Sequence, residues 1–110
     1  MAFTPFTQVR LYRDSEGHHL RVLHYPDAMS SGNELHHLEM HYQDGAVAHA
    51  RDVTNDSPCP LATAAAHTDP YDVDLNTADA ETVLRDTEWE IAGPWKRSRA
   101  ALAAPVQRRS

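Results

Sequence analysis

Residues 34–52 read ELHHLEMHYQDGAVAHARD, and the Asp44-Gly45 pair at their middle decides what they form. A two-residue type I′ turn needs positive φ at both central positions, which Asp-Gly tolerates, so the segment reads as two antiparallel strands joined by a tight hairpin. Side chains alternate along the first arm: His36, Leu38, Met40 and Tyr42 share one face, and His37, Glu39 and His41 share the other. The Leu-Met-Tyr face is the core side. His37, Glu39 and His41 are therefore expected to project from the non-core side.

The preceding residues repeat the pattern. QVRLYR at 8–13 and HHLRVLHY at 18–25 both alternate, and DSEG at 14–17 supplies turn residues between them. Setting Arg13 opposite His18 places Leu11 against Leu20 and Val9 against Val22, so register and apolar face agree. Pro26 ends the second strand, and DAMSSGN at 27–33 is a polar connection. The first 53 residues thus read as a four-stranded antiparallel meander of two β-hairpins.

Beyond residue 53 the character changes. TNDSPCP at 54–60 is loop, and LATAAAH at 61–67 has the alanine content of a short helix with Pro60 near its first turn. YDVDL at 71–75 alternates as a strand. Asn76 or Thr77 caps a helix running to about Thr87, with Ala80, Val83 and Leu84 on one stripe and a Glu81–Arg85 pair four residues apart. WEIAGPW at 89–95 reads as the final strand, Trp89 and Ile91 facing one way and Gly93-Pro94 breaking it, and with YDVDL and the helix its WEI completes a strand-helix-strand unit. KRSRAALAAPVQRRS at 96–110 reads as a basic, partly disordered tail whose alanines support two helical turns up to Pro105. The fold expectation is one α+β domain over residues 1–95 with that tail appended. Its core is Val9, Leu11, Leu20, Val22, Leu38, Met40, Tyr42, Val47, Val73, Leu75, Val83, Leu84, Trp89 and Ile91.

Charge is unevenly spread. The net charge is −6 with histidines neutral, but residues 1–68 carry −4, residues 69–90 carry −7 and residues 96–110 carry +5. Such a balance argues against phosphate binding over the whole surface and leaves the basic end as the region that attracts nucleic acid. One cysteine, Cys59, rules out an intramolecular disulfide. The N-terminal MAFTPFTQVRLYR lacks the apolar run of a signal peptide, and there is no membrane-spanning stretch, so the expected setting is cytoplasmic. Nine arginines to one lysine suggest a high-GC bacterial source.

Two kinds of site follow from these residues. A divalent metal is the cofactor that His37, Glu39, His41 and Asp52 would take: a two-residue turn sets His37 opposite Asp52, Glu39 opposite Ala50 and His41 opposite Ala48. Same-face neighbours on a strand lie roughly 6.7 Å apart, so the trio that can converge is His37, Glu39 and Asp52 rather than the three strand residues. The competing reading is a wet sheet face with polar residues at every second position. Trp95, Lys96 and Arg97, with Arg99, Arg108 and Arg109, form an aromatic-plus-basic patch that suits a partner, either a base and its phosphates or an acidic protein surface. Cys59 between two prolines has no local signature of acyl transfer, DVDLN at 72–76 lacks the glycine and distal glutamate of a calcium loop, and four glycines offer no phosphate-cradling motif. The expectation is a small non-catalytic interaction module. A protein partner, or self-association along a sheet edge, outranks nucleic acid bound through residues 96–110. A metal-binding protein is the other alternative.

Overall fold

The computed structural model describes residues 3–14, 17–29, 32–54, 75–98 and 101–109. These form strands β1 (Phe6–Asp14), β2 (Gly17–Tyr25), β3 (Asn33–Gln43) and β4 (Ala46–Asp52), helix α1 (Thr77–Leu84), and strands β5 (Trp89–Ile91), β6 (Lys96–Ser98) and β7 (Ala101–Arg108). The result is mostly antiparallel sheet with one short helix, which fits the α+β class. Strand order is β4-β3-β2-β1-β7-β5, with β6 also paired to β7. Residues 55–67 and the strand expected at 71–75, apart from Leu75, lie outside the described residues, as do Cys59 and Arg99.

Local chemistry accounts for the hairpins. Asp44 and Gly45 have φ of 55° and 82°, the positive pair the tight turn demands, and Gln43 pairs with Ala46 across it. In the first hairpin Arg13 faces His18, Leu11 faces Leu20 and Val9 faces Val22. The helix starts at a cap whose Asn76 side chain accepts from the Asp79 amide at 3.1 Å.

Val9, Leu11, Leu20, Val22, Leu38 and Met40 meet Ala80, Val83 and Leu84 of α1, together with Trp89, Ala104 and Val106, in one core cluster. Two side-chain hydrogen bonds tie the helix down: Tyr42 donates to Asp79 at 2.9 Å, and Trp95 donates to Glu81 at 3.1 Å. Helix α1 touches both β4 and β5. A flat sheet would hold those strands roughly 24 Å apart, whereas eight helical residues span roughly 12 Å, so the sheet curls around α1. The opposite, far face is buried at its centre as well, by Arg10, Tyr12, His19, Arg21, Leu23, His37, Ala101 and Ala103.

The basic tail expected at 96–110 is corrected. Residues 101–108 are β7, an interior strand paired to β1 on one side and to β5 and β6 on the other. Alanine suits that place because small side chains stand opposite bulky ones, with Ala103 facing Arg10 and Ala104 facing Val9. Pro105, which has no N–H to give, sits where its neighbour bulges away: residues 93–95 separate β5 from β6, and Ala92 donates to the Pro105 carbonyl at 2.9 Å. Gly93 lies against the proline ring, where a Cβ would come within 2.5 Å of its Cγ.

Candidate functional site

Two β-bulges decide which polar residues meet. In β3, Val22 faces His36 while Leu23 faces Glu34, so Leu35 is the extra residue and Glu34 is turned onto the face of His37. There Glu34 Oε1 accepts from Arg21 Nε at 3.0 Å and lies 3.3 Å from His37 Nδ1. His37 Nε2 in turn lies 2.9 Å from His19 Nδ1, and the His19 ring stacks on Tyr12. His37 is fully buried. The His19–His37 and Arg21–Glu34 contacts offset much of the cost of burying these groups and fasten β2 to β3 on the far face, while the Tyr12 stack adds β1.

The second bulge lies in β4, where His41 faces His49 and Tyr42 faces Val47, leaving Ala48 over. Pairing therefore differs by one residue from the expected register beyond Ala48. Glu39 faces Arg51 instead of Ala50, His41 faces His49 instead of Ala48, and Asp52 faces Leu38 instead of His37. A one-residue slip reverses the face of each side chain, so Asp52 comes to the helix side. There its Oδ2 lies 3.1 Å from His36 Nε2. Hydrogen bonds from the Thr54 hydroxyl and amide, with the neighbouring His36, hold the Asp52 carboxyl below the usual range. His41 keeps Glu39 as a partner at 3.4 Å and stacks on His49. The structure thus divides His37, Glu39, His41 and Asp52 among three separate partnerships. No group of three metal-ligating side chains converges among the described residues.

The same slip builds a groove. On the helix side, β3 and β4 diverge from α1 around a cavity of about 590 Å³, a size suited to a small ligand or a few peptide side chains. Leu38, Val47, Ala50 and Val83 give it an apolar lining, Asp52, Asp79 and Asp86 bring three carboxylates, and no lysine or arginine is among its described lining residues. His36, His49, Thr82 and Thr87 complete most of the wall. Burial, then the bond to Asp79, pushes the hydroxyl of Tyr42, the hydrogen-bond partner of the groove's Asp79, up to about 12. Asp79, Thr82, Val83 and Asp86 were not among the residues expected to form a site. Their spacing of three, four and seven from Asp79 is one helical stripe, and that signal was present in the sequence.

The expected aromatic-plus-basic patch is also dispersed. Trp95 packs against the core and bonds Glu81. Arg108 pairs with Glu88 and covers the Trp89 ring. Arg109 donates to the carbonyls of Trp89 at 2.7 Å and Leu84 at 3.2 Å, closing the C-terminal end of α1. Lys96 and Arg97 are both exposed in β6, where the register sets them opposite Ala103 and Leu102 and so on alternate faces of the sheet. Among the described residues, no helix is long and apolar enough to cross a membrane. Comparison of the chain with family models, with curated proteins and with solved structures finds no match.

Proposed function

We propose that this chain is a non-catalytic binding module that takes a basic, extended segment of a protein partner in the groove between α1 and β4. The observation that supports this reading is the groove's composition: three carboxylates around an apolar lining, with no lysine or arginine among its described lining residues. Lysine and arginine match such a surface twice, since their methylene stems cover apolar walls while their charged ends reach carboxylates. Strand β4 borders the groove and is the last strand of the sheet among the described residues, so a partner backbone can extend the ladder while its side chains enter. The partner is a protein rather than nucleic acid at this place because the carboxylates repel phosphate.

Titration of the chain with a labelled lysine-alanine peptide, followed by fluorescence anisotropy, tests the proposal. Saturable binding is expected, with no binding of a glutamate-alanine peptide. Asp86→Lys reverses an exposed groove charge and is expected to weaken binding about tenfold, and Ala50→Arg fills the groove and should abolish it. Equal binding by the wild type and both variants would refute the groove as the site. A second copy of the chain is the competing occupant, and sedimentation of the chain alone as a dimer that the peptide cannot dissociate would favour it.

A further inference from the structure

Besides its three carboxylates, the described lining of the acidic groove holds His36 and His49. Histidine is the one side-chain type among these residues that ordinarily titrates between pH 5 and 8. His36 stands where a proton counts. Its Nε2 lies 3.1 Å from Asp52 Oδ2, and its side chain is 18% exposed beside 59% for Asp52. The Thr54 hydroxyl and amide both donate to the other oxygen, Asp52 Oδ1, at 2.6 and 2.9 Å, so the carboxylate is held in place at His36. An ionised carboxylate only accepts hydrogen bonds. Nε2 therefore carries the hydrogen of the neutral ring, and Nδ1 is the nitrogen that can gain a second one.

The groups around His36 are acidic on every side that bears charge. Strand β4 contributes Asp52 and His49, α1 and the turn after it contribute Asp79 and Asp86, and β2 sets the apolar Val22 opposite. Within β3, the bulge at Leu35 turns Glu34 to the other face. The His49 ring stacks on His41, whose Nε2 lies 3.4 Å from Glu39, so a proton there is met by that pair.

We propose that His36 is a built-in competitor for the groove, which takes up a basic segment at neutral pH and releases it on acidification, when protonated His36 becomes the counter-ion of Asp52. The inference rests on the reading of the groove as a site for a basic segment. At pH 8 a neutral His36 donates to Asp52 without cancelling its charge, and the exposed side of that carboxylate is open to lysine or arginine. At pH 5.5 the ring is itself a cation at hydrogen-bond distance. The balance of the lining then falls from three negative charges towards two, and an arriving cation meets a like charge beside Asp52.

The test is fluorescence anisotropy of the labelled lysine-alanine peptide with the full chain at pH 8 and pH 5.5, at one ionic strength. Lysine keeps its charge at both values, so the peptide is unchanged. The wild type is expected to bind about tenfold more weakly at pH 5.5. His36→Gln still offers an N–H to Asp52 but cannot gain a charge; it should match the wild type at pH 8 and weaken by no more than about twofold at pH 5.5. His49→Gln should retain the wild-type dependence. Thermal melts of each variant at both pH values separate release from unfolding. Equal wild-type affinity at the two pH values would overturn this inference and leave the groove reading standing, whereas no binding at pH 8 would remove both. A pH dependence that persists in folded His36→Gln, or disappears in His49→Gln, would overturn the assignment to His36.

Discussion

Tyr42 shows how one residue links burial, the helix and the groove. Its hydroxyl donates to Asp79, and the folded chain favours the neutral phenol, with a midpoint raised from 10.0 to about 12. A raised folded value means that this contribution to stability is complete below pH 10 and is lost as pH climbs through about 12. Alkaline titration by ultraviolet absorbance should show one of the four tyrosines ionising well after an unperturbed phenol. Asp79→Asn should return it only part of the way, because burial is the larger cause; a full return to 10 would assign the shift to Asp79 instead. Gly93 offers a steric counterpart. A methyl group there meets the ring of Pro105 at 2.5 Å, and that ring cannot swing aside, so Gly93→Ala should cost about 2 kcal/mol in chemical denaturation. An unchanged midpoint would mean that the bulge between β5 and β6 adjusts freely.

At the scale of the element, β7 is the segment on which the sheet depends. It joins β1 to β5 and β6, and its last turn of chain brings Arg109 to the carbonyls that end α1. A chain ending at Trp95 would expose one side of β1 and lose Ala104 and Val106 from the core, so it should fail to give a cooperative thermal transition. Retention of a native-like melt by that truncation would restore the tail reading. Arg109→Ala is the milder probe, expected to cost about 1 kcal/mol through the lost hydrogen bonds to Leu84 and Trp89 carbonyls. The contrast between hairpins and β7 shows what sequence patterns reveal. Strands β1 to β4 announce themselves through alternation around DSEG and Asp44-Gly45, chemistry that is local. KRSRAALAAPVQRRS has helix-favouring alanines, a proline and five positive charges, and only the partners supplied by β1, β5 and β6 make it a strand. The bulges at Leu35 and Ala48 left no comparable mark, yet each reverses the face of the residues beyond it. Uninterrupted alternation sets His37 beside Asp52, whereas with the bulges Glu34 and His19 are its neighbours.

For the whole molecule, the sheet separates its polar chemistry into two layers. The far face buries a network of His19, Arg21, Glu34 and His37. The helix face gathers Asp52, Asp79 and Asp86 around an open groove. The basic end of the chain is not a free tail, since Arg108 pairs with Glu88 and Arg109 is used at the end of α1. The central claim is that the acidic groove takes a basic protein segment, and amide chemical-shift mapping with the unlabelled lysine-alanine peptide tests it most directly. The account predicts saturable shifts concentrated at Val47, Ala50, Thr82, Val83 and Asp86, with Phe6 and Lys96 unmoved. Shifts confined to the far face, or none at saturating peptide, would contradict it.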